Sequence, residues 1–437
     1  MNTKQVFIVG FMLFAMFFGA GNLIFPPALG FEAGDHFWLA ILGFALTGVG
    51  LPLLSMIVGS ISEGGYRESL KHIHPFFSIG LLMVIYLTIG PFFAIPRTAT
   101  TAYEMGIVPF LSSPSDITLF LFTIGFFALV LWIALSPADL SDTIGKFLTP
   151  TLLVTIIALI VRAFFLYFSN EPQMVHPTFN ADAPFATGFL EGYLTMDAIA
   201  AIAFSIVVLN SIRSMGFNNR RELLVGTTKS AFLAAALLVF IYGSLGWIGN
   251  RVDLGAADVG NQNLGTFLLL FVSNEVFGGL GVFLLGVIVF LACLTTATGL
   301  IVSVAEYFNS LFPKASYKSF AGLFTFISLV LANQGLDQVI QTSVPVLSIL
   351  YPIAMTTVFL LVFTFFVPSP GASLRVPVFA VTVLSFLAMI HRSGWMAMDW
   401  LESLPLFASQ LEWIPVMVIG YVIGFLFGFN REKIRYS

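Results

Sequence analysis

Long apolar runs, separated only by short clusters of charge, glycine and proline, repeat along the whole chain. Measured against the ~20 apolar residues that cross a bilayer as a helix, they predict spans near 5–29, 36–60, 76–103, 115–136, 146–169 and 187–211, then 225–249, 276–309, 318–334, 338–367, 374–393 and 412–430. The expected fold is all-α and integral to the membrane, with twelve transmembrane helices in a single domain over 1–437. The first run follows a charged start and contains the small residues Gly19 to Gly21. Its apolar character continues to Leu29, so it reads as a span and no cleaved leader is expected. The longest connections, about 250–275 and 394–411, are too short and too apolar for a soluble domain.

Charge adds an orientation. Of the 18 Lys and Arg, all but Arg97, Arg162, Arg251 and Arg392 fall on the side of the termini. The excess of basic residues on cytoplasmic connections then predicts that both termini are cytoplasmic. Composition agrees with the spans, since 58% of residues are hydrophobic and 9% charged, against about 25% charged in a soluble domain. A net charge of −4 without basic runs speaks against nucleic acid. Cys293 is the only cysteine, and the five histidines lack ligand spacing, so no metal centre built from thiols or imidazoles is expected. With no P-loop and no recognisable catalytic set, the chain does not read as an enzyme, and no cofactor is expected.

Polar residues inside the apolar runs carry the candidate chemistry. The first span holds Phe17-Phe18-Gly19-Ala20-Gly21-Asn22, followed by Pro26 and Pro27. Glycine and proline together predict an interrupted helix, whose ends offer N–H groups to a carboxylate and C=O groups to a cation. Tight packing of small residues is the alternative. The sixth span contains Gly192-Tyr193-Leu194-Thr195-Met196-Asp197-Ala198. An acid there costs at least ~2.5 kcal/mol at the helix centre, which marks Asp197 as functional unless it and Glu191 pair locally with Arg97 or Arg162.

Two interrupted spans five apart point to an inverted repeat, 5–169 against 187–367, with 374–430 forming two additional helices. In the eighth span Ala292, Thr295 and Thr296 share a face and offer neutral oxygens to a monovalent cation, or the threonines bond back to their own helix. Arg97, in a third span kinked by Pro91 and Pro96, either gates by pairing with Asp197 or Glu191 or reaches for the surface. Pro345 and Pro352 around Ser348 suggest a kinked tenth span.

These segments, with Ile95-Pro96-Arg97-Thr98-Ala99 and Thr295-Thr296-Ala297-Thr298-Gly299, resemble the signature segments of bacterial branched-chain amino acid:cation symporters over nearly the whole chain. The resemblance implies sodium-coupled import of leucine, isoleucine and valine across a bacterial inner membrane. It also implies the fold of the bacterial leucine transporter, five plus five inverted helices. Gly19-Ala20-Gly21-Asn22 matches that fold's Gly-x-Gly-Asn pattern. Substrate would then meet the amides of Ala20 and Gly21, with Phe18, Gly19, Asn22, Tyr193, Thr195, Met196 and Asp197 around it. Sodium would be bound by Ala15, Phe18, Ala292, Thr295 and Thr296. The chain carries Ile24 where the leucine transporter has arginine, which leaves the gate to Arg97 and Glu191. A proton-coupled carrier of another small neutral solute is the alternative.

Overall fold

The computed structural model describes residues 1–62, 64–136, 148–255, 259, 262–428 and 433–434. Lys146, Arg431 and Arg435, among the basic residues on the side of the termini, lie outside them. So do the first residues of the fifth expected span and the last of the twelfth.

The apolar runs are helical, because without water a single run satisfies its own N–H and C=O groups only as a helix. In order, the principal helices are Thr3–Phe17, Ala20–Ala33, Phe37–Ala45, Leu51–Gly59, Pro75–Leu87, Ala94–Gly106, Asp116–Ala134, Thr149–Tyr167, Pro184–Leu194 and Asp197–Ser214. Then come Arg220–Arg251, Leu264–Phe277, Gly279–Leu311, Tyr317–Ala332, Leu336–Phe366, Gly371–Arg392 and Trp413–Phe427. Asn2, Ser115, Asn219 and Ser316 start their helices by accepting first-turn amides on their side chains. Phe76, Trp132, Phe165 and Phe427 stand exposed on the outside, as a surface facing lipid requires.

Among the described residues nine helical stretches are long and apolar enough to cross a membrane, rather than the twelve expected. The difference arises where runs are cut or short. The break after Phe17 leaves Thr3–Phe17 as a 15-residue piece, and the chain runs on from Ala20 to Gly59 as one 40-residue stretch. Tyr317–Ala332 and Trp413–Phe427 have only 16 and 15 residues. The connection expected over 250–275 also contains a helix, Leu264–Phe277, whose first amides are capped by the Asn263 side chain.

Three spans are broken. The first is cut at Phe18-Gly19 and the sixth at Thr195-Met196. The third, expected only to kink, leaves helical geometry at Gly90 and resumes at Ala94.

The two halves of the first span pack on Arg220–Arg251, and the two halves of the sixth pack on Phe37–Ala45 and Leu51–Gly59. Ala94–Gly106 packs on Gly279–Leu311, and Asp116–Ala134 on Tyr317–Ala332. The closest crossings need glycine. A Cβ on Gly249 would lie 2.1 Å from the Pro27 carbonyl oxygen, and one on Gly188 would lie 1.8 Å from that of Ala40. Small residues that let backbones touch are the usual basis of helix association in lipid.

Gly188→Ala must therefore separate Pro184–Leu194 from Phe37–Ala45. We expect it to lower the stability of the purified protein by about 1–3 kcal/mol, read as a fall in melting temperature in detergent. An unchanged melting temperature would contradict this packing.

Candidate functional site

The site begins with the break in the first span. The Phe18 amide still bonds to the Phe14 carbonyl at 2.7 Å, but Phe18 turns out of the helix and Gly19 is extended (φ −115°, ψ −156°). When the helix restarts at Ala20, its first amides have no intrahelical acceptor. One neighbour is satisfied at once, since Gly19 N–H donates to Asn22 Oδ1 at 3.1 Å. The amides of Ala20 and Gly21 head the new helix at its positive end.

The sixth span also breaks into a helix end followed by a new helix start. Pro184–Leu194 ends at Thr195, Met196 takes a left-handed conformation (φ 66°), and a new helix starts at Asp197. A non-glycine residue held there is strained, and such strain clusters at functional sites. The freed carbonyls are taken by Arg97, whose Nη1 donates to Leu194 O at 2.7 Å and Nη2 to Thr195 O at 3.1 Å. Arg97 is 4% exposed, and its guanidinium sits 5.6 Å from the centre of the Phe25 ring.

Both expectations for Arg97 are corrected by this arrangement. It neither reaches the surface nor forms an ion pair with Asp197 or Glu191. The negative end of a broken helix holds the cation inside the protein instead. Glu191 is half-buried and faces a cavity of about 370 Å³ shared with Tyr193, Leu194 and Ser348.

Asp197 occupies the first turn of its helix, and its amide donates to Thr195 Oγ1 at 3.3 Å. Its carboxylate pairs with neither Arg97 nor Arg162. Asn22 Nδ2 donates to Asp197 Oδ2 and to the Tyr242 hydroxyl, and that hydroxyl donates to Asp197 Oδ2 at 3.1 Å. The two amide hydrogens of Asn22 suffice for both bonds. Asn22, Asp197 and Tyr242 are all buried, so this triangle joins the first, sixth and seventh spans inside the core.

The other face of the first break meets Gly279–Leu311. Thr295 Oγ1 lies 2.8 Å from Ala15 O and 2.9 Å from Ala292 O, and Thr296 Oγ1 lies 3.3 Å from Ala15 O. Two carbonyl and two hydroxyl oxygens thus converge, a neutral hard-donor set suited to a monovalent cation. A Cβ on Gly19 would sit 2.8 Å from Thr296 Oγ1, so the glycine lets the broken backbone close on this group. Phe18 is held by its amide and by stacking on Phe14, with ring centres 5.2 Å apart. The hydrogen bonds do not bring its carbonyl into the set.

The apolar wall combines expected and unexpected residues. Tyr193 stacks on Tyr351 at 4.2 Å, and Phe17 meets Phe204 edge-on at 5.4 Å. Tyr242, Tyr351, Phe25 and Phe204 escaped the sequence reading. Only the two tyrosines carried a signal, a hydroxyl inside an apolar run that needs a partner or a role.

The family model described as branched-chain amino acid transport protein matches residues 2–431. A protein of Staphylococcus saprophyticus named as a branched-chain amino acid carrier is 49% identical over 430 residues, covering 97% of this chain and 96% of its own. A Staphylococcus aureus protein named likewise is 48% identical over 447 residues, covering 100% and 99%.

Solved structures share the fold at low identity. A nucleobase-cation-symport-1 family transporter, closed around bromovinylhydantoin, gives a TM-score of 0.61 at 14% identity, covering 96% of this chain and 91% of its own. MhsT in complex with L-phenylalanine gives 0.53 at 17%, covering 96% and 97%. A Na+-coupled sialic acid symporter gives 0.61 at 12%, covering 99% and 91%. The fold is therefore the leucine-transporter type expected from the Gly-x-Gly-Asn segment. The match over residues 2–431 and the near-half identity across whole chains make this a multi-pass membrane transport protein rather than an enzyme, and the chain belongs to the branched-chain amino acid transport protein family.

Proposed function

We propose that the protein is a secondary active transporter that imports leucine, isoleucine and valine with sodium by alternating access. The observation that carries this reading is that one break, at Phe18-Gly19, presents N–H groups on one side and the Ala15 carbonyl on the other. The amides of Ala20 and Gly21 would take the substrate carboxylate at a positive helix end. The ammonium would meet Asp197 Oδ1, since Oδ2 is engaged by Asn22 and Tyr242. Phe17, Phe18, Tyr193 and Met196 would form the wall for a branched aliphatic side chain, with Gly19 and Thr195 closing the backbone around it.

Sodium would bridge Ala15 O, Ala292 O, Thr295 Oγ1 and Thr296 Oγ1, with the Phe18 carbonyl completing the set once the threonine hydrogens turn away. The ion would then fix Thr3–Phe17 to Gly279–Leu311 and pre-form the break for substrate. A ligand that binds one state better shifts the population by its differential affinity. Arg97 would hold the Leu194 end of the sixth span in place, and Glu191, at the cavity beside it, would gate access.

The packing supports an inverted repeat over 5–169 and 187–367 and a twelve-span count. The first span lies on the seventh as the sixth lies on the second, and the third meets the eighth as the fourth meets the ninth. Gly371–Arg392 and Trp413–Phe427, packed mainly on each other, are then the two additional helices. Basic residues on the side of the termini favour cytoplasmic ends in a bacterial inner membrane. A second reading, coupling to protons for another small neutral solute, draws on Asp197, an acid held in the core between two broken helices.

The test is uptake of labelled leucine into proteoliposomes under a sodium gradient or a proton gradient alone. Isoleucine, valine and lysine serve as competitors. The proposal expects sodium-driven uptake that isoleucine and valine block and lysine does not. Uptake driven by protons alone would transfer coupling to Asp197.

Thr295→Ala removes one ligand. The sodium concentration for half-maximal uptake should rise about tenfold, equivalent to ~1.4 kcal/mol, and an unchanged sodium requirement would refute the ion site.

Arg97→Gln should lower the maximal uptake rate about tenfold or more by leaving the two carbonyls uncapped. Arg97→Lys should not restore it, because an ammonium cannot fork as a guanidinium does. Wild-type rates in the lysine variant would remove Arg97 from this role.

A further inference from the structure

A second cavity of about 460 Å³ lies away from the two central breaks, near the ends of Asp197–Ser214 and Gly279–Leu311. Its size falls within the roughly 300–1,000 Å³ of small-molecule sites. Ser205, on its wall, is eight residues beyond Asp197, which places it about 12 Å down the helix axis. Glu306 is ten residues beyond Thr296 on the facing helix. The cavity is thus distinct from the central site and displaced from it toward the C-terminal ends of these two helices.

Two opposite charges meet this cavity without neutralising each other. Asn210 Nδ2 donates to Glu306 Oε2 at 3.1 Å, which orients the carboxylate and leaves Oε1 to another donor. Arg67 reaches Ser310 Oγ with Nη1 at 3.4 Å, while its Nε is buried without a hydrogen-bond partner. No ion pair joins Arg67 to Glu306. Ser310 is four residues after Glu306, so their Cβ atoms share a helix face roughly 6 Å apart, and the Arg67 guanidinium meets that face at Ser310. A buried donor without a partner costs free energy unless a ligand or water serves it.

Beside these charges much of the lining is apolar or aromatic. Tyr86 and Tyr307 stack at 4.2 Å, with hydroxyls directed to the carbonyls of Ala203 and Ile79. Ile202 and Ile206 supply the facing surface from the helix that starts at Asp197. An acid, a base and a partly apolar wall around one cavity are complementary to a zwitterion with an apolar side chain.

We propose that this cavity is a second amino-acid site, occupied in transit between the central site and the nearer membrane face. Glu306 takes the ammonium and Arg67 the carboxylate. The proposal rests on the transport reading above, and its test separates the two.

The full-length protein is placed in membrane vesicles of both orientations, and the leucine concentration giving half-maximal flux is measured from each face. For Glu306→Gln and for Arg67→Gln we expect it to rise about tenfold on one face, the same face for both, and to stay at the wild-type value on the other. Retained flux from the unaffected face reports an intact fold, and Glu306→Asp should recover most of the loss. Should Glu306→Gln carry no flux from either face, Arg67→Gln decides alone. Unchanged values on both faces would make the cavity a water-filled passage only. Equal changes on both faces would assign the two residues to the central site. Wild-type protein without leucine flux in either orientation would remove the transport reading itself and this proposal with it.

Discussion

A peptide group released from its helix inside a bilayer finds no water, and each unsatisfied one costs several kcal/mol. The interior of this protein is organised around meeting that demand at the two central breaks. The N–H side of the first break is partly met by Asn22, and its carbonyl side by Thr295 and Thr296. The carbonyl side of the sixth break is met by Arg97 and its N–H side by Thr195. Asn22, Arg97, Thr195, Thr295 and Thr296 each answer to a backbone group that a continuous helix would have satisfied by itself.

These partners come from different helices, so satisfying the backbone also ties the fold together. Arg97 links the third span to the sixth, Thr295 and Thr296 link the eighth to the first, and the Asn22–Asp197–Tyr242 triangle links the first, sixth and seventh. In the proposed mechanism a cation replacing the threonine hydrogens at Ala15 would act on the same stretch of chain whose amides at Ala20 and Gly21, five and six residues later, would face the substrate. Ion and substrate would thereby be connected through five to six residues of backbone, a short path for coupling two binding events. The close glycine contacts at Gly188 and Gly249 hold the outer helices near enough for these bonds to form.

Much of this was legible in the amino-acid sequence where the residue itself carries the geometry. Gly19, Gly21, Pro26 and Pro27 announce a break because no continuous apolar helix needs them together, and Asp197 in an apolar run announces a polar core. The i, i+3, i+4 spacing of Ala292, Thr295 and Thr296 sets three oxygens on one face before any partner is known. Less legible was whatever depends on a distant partner. Met196 gives no hint of its left-handed backbone, since tertiary contacts impose it. The charge of Arg97 suggests an ion pair, whereas the structure uses its donor fork on two carbonyls. Tyr242 lies about 220 residues from Asn22 in sequence, and no local pattern announces that pairing. The number of spans is less legible for a related reason, because length and hydropathy count continuous helices and this fold cuts several of them.

The central claim is that one broken helix serves ion and substrate together, which makes their affinities mutually dependent. The most direct measurement is a calorimetric titration of the purified protein with leucine at increasing sodium, paired with a sodium titration at increasing leucine. The account predicts that each ligand tightens the other by the same factor. Leucine binding with an affinity independent of sodium would contradict it.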